Sequence, residues 1–98
     1  MIRVELYHND RGDICRFKVH NHGEPIVCAG VSALVITTVN FIDSRLGKTL
    51  ELTIEDSQSI DYMFEVDAQT ALLVQNMLFG IEQISESYKN QIKITRKR

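Results

Sequence analysis

Apolar and polar positions alternate in two short stretches near the start of the chain. Ile2, Val4 and Leu6 alternate with Arg3, Glu5 and Tyr7, and Cys15, Phe17 and Val19 alternate with Arg16, Lys18 and His20. A period of two puts each apolar set on one face of a half-buried strand. Between them Asn9-Asp10-Arg11-Gly12-Asp13 supplies hairpin turn chemistry, with Gly12 free to take a positive φ. The parity turns Cys15 inward with Phe17, as an inert packing thiol.

From Pro25 the period lengthens. Val27, Val31, Leu34, Val35, Val39 and Ile42 recur at three-to-four spacing, which predicts a helix to about Ser44, with Gly47 closing the segment. Pro25 suits the first helical turn, where its missing N–H costs nothing. The run Val35 to Val39 is β-branched and reads as strand in isolation. The spacing across four turns nevertheless favours helix. Leu50, Leu52 and Ile54 then alternate with Glu51, Thr53 and Glu55, and after Asp56-Ser57-Gln58-Ser59 so do Tyr62, Phe64 and Val66: a second hairpin. Asp67 is a candidate N-cap for a helix with Ala68, Leu72, Leu73, Met77, Ile81 and Ile84 on its apolar side. Asn90 stops that helix, and Ile92 and Ile94 mark a last short strand.

The order strand-strand-helix-strand-strand-helix-strand predicts an α+β fold of two layers. One antiparallel or mixed sheet carries both helices on one face. Residues 1–98 form a single domain without repeats, linkers or low-complexity sequence. With 44% apolar residues, a chain of this size buries roughly 65% of its unfolded surface, enough for one core without metal or disulfide staples. The uncharged stretch from Val31 to Phe41 or an uncovered sheet face makes a homodimer a reasonable expectation.

Net charge is −2, which points to neither nucleic acid nor a membrane as an obligate partner. No apolar run approaches the roughly 20 residues of a bilayer span, and no leader-like segment opens the chain, so the expected location is a reducing cytoplasm. Cys15 and Cys28 make no disulfide framework, and no CxxC pair signals zinc. The interval Lys89 to Arg98 holds five basic residues (Lys89, Lys93, Arg96, Lys97, Arg98) and no acid. It reads as a solvated terminal strand or a contact for RNA or an acidic protein.

The chemistry concentrates in His22-Gly23-Glu24-Pro25-Ile26-Val27-Cys28-Ala29-Gly30-Val31-Ser32. Cys28 falls in the first turn of the predicted helix, where unpaired N–H groups favour an anion and can bind the oxyanion of a tetrahedral intermediate. His22 ends the preceding strand, with five residues between it and Cys28, so hydrogen-bond reach is feasible. A thiol needs such a base or helix terminus to act as a nucleophile near neutral pH. Ser32, four residues after Cys28, shares its helix face and can orient the substrate or the pair. Gly23 and Gly30 give room for a chain to approach. His20 and His22 share a strand face and with Cys28 could hold a metal, a second reading of the same residues.

The block Ile26-Val27-Cys28-Ala29-Gly30-Val31-Ser32, with His22 ahead of it, resembles the ribosomal-processing cysteine protease family of bacteria. The opening Met1-Ile2-Arg3-Val4, the segment Glu82-Gln83-Ile84 and the order of elements are similar too. The resemblance implies a cysteine endopeptidase in which Cys28 is the nucleophile and His22 the general base; Ser32 and Gly30 are the candidate substrate-binding or orienting residues, and no cofactor or metal is expected. It further implies a small cytoplasmic dimer that trims the N-terminal extension of a large-subunit ribosomal protein precursor, meeting nucleic acid only indirectly through the ribosome. The sequence departs from the family pattern at Asn21, Gly23 and Pro25, where the family carries glycine, alanine and aspartate, and its His-to-Cys loop is several residues shorter. The alternative function is a non-enzymatic ribosome-associated or RNA-binding module that uses the basic C-terminal strand.

Overall fold

The computed structural model describes residues 1–56 and 58–98, so Ser57 of the expected second turn lies outside the described residues. Strands β1 (Ile2–His8) and β2 (Ile14–His20) are followed by helix α1 (Pro25–Phe41), which runs on as a π-helical turn (Ile42–Leu46). Strands β3 (Thr49–Glu55) and β4 (Ser59–Phe64), helix α2 (Ala68–Ser87) and strand β5 (Ile92–Lys97) complete the order expected from the sequence. The five strands form one sheet in the order β3-β4-β2-β1-β5. Its pairs are antiparallel except β1–β5, which is parallel, so the sheet is mixed.

The core lies between the sheet and the two helices. Ile2, Val4 and Leu6 of β1, Phe17 and Val19 of β2, and Tyr62 and Phe64 of β4 are buried against Val27, Val31, Val35 and Val39 of α1 and Val74, Met77, Leu78 and Ile81 of α2. Phe17, Tyr62 and Phe64 form an aromatic cluster with ring centroids 5.6–5.9 Å apart. The buried Tyr62 hydroxyl shares a 2.6 Å hydrogen bond with Thr49 Oγ1. Burial of the valine row outweighs the strand preference of Val35 to Val39, because packing of a helical face counts for more than a few tenths of a kcal/mol of propensity. The segment Pro25–Leu46 is 22 residues long and, contrary to the reading of the sequence alone, apolar enough by length and composition to cross a membrane. Its buried residues are the face it packs into this core.

Local chemistry fixes the element ends. Gly12 (φ 83°) turns the first hairpin and Gly47 (φ 64°) closes the π-helical turn through its N–H to Ile42 O. Asp67 caps α2 in a reciprocal box: its carboxylate accepts the Thr70 N–H at 2.9 Å, and the Thr70 hydroxyl accepts the Asp67 N–H at 2.9 Å. Lys48 pairs with the same carboxylate. Asn90, with φ 66°, sits in the turn after α2.

Three packing expectations need correction. The β1–β2 register slips between Tyr7 and His8, pairing Tyr7 with Arg16 and His8 with Ile14, so Cys15 is the unpaired residue of a bulge. Ile14 packs on the core instead, and the half-buried Cys15 thiol donates to Tyr7 O at 3.5 Å. On α2, Leu72 is 67% exposed and Ala68 is exposed, while Val74 and Leu78 are buried. The apolar stripe is rotated by about half a turn at its start. Finally, Leu50, the unpaired residue of a second bulge, and Leu52 and Ile54 stay exposed, because β3 is an edge strand outside the core cluster.

The opposite face of the sheet is a charged ladder. Arg16 grips Asp61 with two bonds of 2.8 and 2.6 Å and lies 4.8 Å from the Tyr7 ring centre. Glu5 accepts from Lys97 at 2.5 Å and contacts His20 Nε2 at 2.9 Å. The bond from Arg16 holds the Asp61 carboxyl below its usual range, and the bond from Lys97, aided by His20, does the same for Glu5.

Candidate active site

β2 ends at His20, and four residues later α1 begins at Pro25. This loop passes beside Ile2 and carries His22. Glu24 takes the N-cap place without a side-chain capping bond. Pro25 has no N–H, and the Cys28 N–H already donates to Glu24 O at 2.9 Å. The amides of Ile26 and Val27 are therefore the first-turn donors without a partner among the described residues. Side chains on a helix tilt toward its N-terminus, which carries the Cys28 thiol toward those donors.

Cys28 is half-buried at the edge of the core. Its Sγ donates to the main-chain carbonyl of Asn21 at 3.7 Å. Gly23 lies against it: a Cβ there would sit 3.8 Å from Sγ and 3.3 Å from Ile2 Cγ1. Gly23 thus keeps the approach to sulfur open. Gly30 does something else. A Cβ at Gly30 would meet Ile84 Cδ1 at 3.1 Å, so this glycine belongs to the contact between α1 and α2. Ser32 is joined to Asn21, whose side-chain Nδ2 donates to Ser32 Oγ and, at 3.3 Å, to Cys28 O.

His22 is exposed and lines an open groove of about 630 Å³ on the charged face, together with Met1, Arg3, His20 and Lys93. Among the described residues it makes no hydrogen bond or ion pair, and none joins it to Cys28. His20 is occupied on both ring nitrogens, by Glu5 and by Ser59 Oγ at 3.2 Å. Among the described residues no three His, Cys, Asp or Glu side chains are grouped to hold a metal. The structure therefore brings Cys28 together with Asn21, Gly23 and, through Asn21, Ser32, and leaves His22 on the neighbouring loop. Asn21 is the member that sequence reading passed over. Its signal was its departure from a glycine position immediately before His22.

Comparison with known proteins identifies the family of the chain. A family model described as cysteine protease Prp matches residues 1–93. The ribosomal processing cysteine protease Prp of Staphylococcus aureus strain Mu50 is 28% identical over 106 aligned positions, covering 99% of this chain and all of that one. The Bacillus subtilis protein of the same name is 32% identical over 81 positions, 76% of this chain and 72% of its own. A crystal structure of the S. aureus protease with a covalently linked product peptide superposes with a TM-score of 0.89 at 27% identity, over 99% of this chain and 100% of that one.

The fold is that of a cysteine protease. The non-enzymatic alternative falls with that finding. Its basic stretch is also divided: Lys93 and Lys97 face the groove, while Arg96 reaches the His8 ring at 3.2 Å. Within the cysteine proteases, the chain belongs to the cysteine protease Prp family.

Proposed function

We propose that Cys28 is the nucleophile and His22 the general base and acid of an endopeptidase that removes an N-terminal extension from a ribosomal protein precursor. The observation that carries this reading is the half-buried Cys28 thiol in the first turn of α1, flanked by the loop that bears His22. In the first half-reaction His22 takes the thiol proton and sulfur attacks the peptide carbonyl. The developing oxyanion is met by the free amides of Ile26 and Val27. Collapse expels the amine, which receives the proton from His22, and leaves a thioester on Cys28. His22 then deprotonates water, whose attack releases the carboxylate and restores the thiol. Catalytic hydrogen bonds often form only in the substrate complex, and the short loop at 22–24 is the segment that turns His22 toward sulfur. Asn21 and Ser32 orient this pair, and Gly30 serves the helix contact.

The substrate reading is supported by the relatives named for ribosomal processing and by the peptide-bound S. aureus structures. The open groove beside His22 suits an extended peptide. We assign the protein to the cytoplasm, in keeping with its two free cysteines. A homodimer belongs to the same proposal: Ile36 and Phe41 of α1 and Leu50, Leu52 and Ile54 of β3 leave apolar side chains exposed on the side where β3 has a free edge.

The test is cleavage of a peptide copied from the host's own ribosomal protein precursor. The parent protein cleaves it and Cys28→Ala does not. A host ribosomal protein without an N-terminal extension refutes the substrate, and undiminished cleavage by Cys28→Ala refutes the nucleophile.

A further inference from the structure

We infer that Asn21 is a positioning residue that sets the nucleophile-bearing turn of α1 against the loop bearing His22. The inference rests on the proposed roles of Cys28 and His22 and extends them to a residue that touches neither substrate nor reacting carbonyl.

Four contacts converge on this one residue. Its main-chain N–H donates to Gln58 O at 2.7 Å, which fixes it to the start of β4. Its carbonyl accepts the Cys28 thiol at 3.7 Å. Its side-chain Nδ2 donates to the Cys28 carbonyl at 3.3 Å and to Ser32 Oγ. Backbone and side chain thus hold the same cysteine from two directions, and residue 22 follows directly along the chain. Any rotation of Asn21 changes where Cys28 Sγ and the His22 ring lie relative to each other.

The amide can point only one way. Reversing it would turn Oδ1 toward the Cys28 carbonyl, acceptor against acceptor. As it stands, Oδ1 is buried without a hydrogen-bond partner among the described residues. A small cavity of about 50 Å³ adjoins it, lined by Asn21, Ser32, Gln58 and apolar side chains of β2, α1 and β4. An unsatisfied buried oxygen is unfavourable and is retained where the other contacts of the group over-determine its position. Here the retained contacts are the two to Cys28. Ser32 acts through Asn21, as the second acceptor that keeps Nδ2 aimed at the helix.

The experiment compares Asn21→Ala, Asn21→Asp, Ser32→Ala and the double variant Asn21→Ala/Ser32→Ala on the precursor peptide, with Cys28→Ala as reference. Asn21→Ala should lower kcat roughly tenfold with KM within about twofold, since misplacement of reacting groups acts on the chemical step. The double variant should match Asn21→Ala alone, because among the described residues the Ser32 hydroxyl bonds only to Asn21, which alone links it to the cysteine. Asn21→Asp preserves the shape and removes the donor. Its kcat relative to the parent should therefore be low near pH 8, where the carboxylate has no proton to donate.

A kcat within twofold of the parent for both Asn21→Ala and Asn21→Asp, with Cys28→Ala inactive, overturns the inference and leaves the assignment of Cys28 standing. A parent-like kcat for Asn21→Asp at pH 8, with Asn21→Ala slow, also overturns it, since that marks a role of shape alone. Parent-like cleavage by Cys28→Ala refutes the underlying reading instead.

Discussion

The Cys28 thiol donates its proton to the main-chain carbonyl of Asn21, 3.7 Å away, and not to His22. A carbonyl cannot accept that proton for chemistry, and in the proposed mechanism the imidazole of the adjacent residue receives it. His22→Ala is expected to lower kcat by 10²–10⁴-fold, the usual contribution of a general base. His22 is exposed and makes no bond among the described residues, so its loss should change folding stability by no more than about 0.5 kcal/mol. Peptide hydrolysis and thermal unfolding of the same preparation check both halves.

Asp61 shares the acid sensitivity of the charged face with Glu5. Arg16 holds its carboxyl below the ordinary value, so the unfolded chain binds this proton at a higher pH than the folded one. The ion pair's stabilisation is complete above the unfolded carboxyl range, about pH 4, and is lost as pH falls through the folded value. Asp61→Asn should therefore lower stability near pH 7 and flatten the decline in acid. Urea unfolding midpoints at a series of pH values between about 2 and 7 test this. Parallel curves for parent and variant would contradict it.

Ile54 is 60% exposed and Leu52 41% exposed on the edge strand β3. A lysine at either position places a charge on the apolar patch proposed to meet a second copy. Sedimentation equilibrium should find a dimer for the parent and a monomer for Ile54→Lys, with the far-UV spectrum unchanged. A dimer that survives both Leu52→Lys and Ile54→Lys locates the interface elsewhere.

Phe17 and Cys15 share a parity but not an environment. Phe17 is buried against Tyr62 and Phe64, so Phe17→Ala should cost about 3–5 kcal/mol. Cys15 sits in the bulge with its sulfur bonded to Tyr7 O. Cys15→Ser keeps a donor there and should cost less than about 1 kcal/mol. Denaturant melts of the two variants measure the difference.

Much of this architecture was legible because the dominant cue was periodic. The alternation at Ile2, Val4 and Leu6 and the spacing from Val27 to Ile42 each specify an element and its buried face. The Asp67–Thr70 box was visible in its first member. What escaped were features set by tertiary neighbours. Alternation at Leu50, Leu52 and Ile54 says that a strand has an apolar face but not that the strand lies at an edge. The bulge at Cys15 breaks parity without any glycine to announce it. On α2, Leu72 and Val74 are equally apolar, and only the position of the helix over the sheet selects Val74. At the site, the thiol at the head of a helix was readable from Pro25 and the block Ile26 to Ser32. The role of Asn21 was not, since its partners Gln58, Cys28 and Ser32 meet it only in the folded chain.

The parallel pairing of β1 with β5 sets the order in which the molecule can be completed. Ile2 lies beside Ile92 and Tyr7 beside Lys97, so a stretch from the beginning of the chain waits for one made some ninety positions later. Until residues 92–97 have joined, β1 has one unpaired edge. A nascent chain can form the β1–β2 hairpin and α1 early, by local contacts. Closing the sheet is the most non-local event in the fold, and such contacts slow folding. Proteolytic competence should therefore arrive late and all at once, with the final strand acting as the latch on a site to which it contributes groove lining but neither half of the reacting pair.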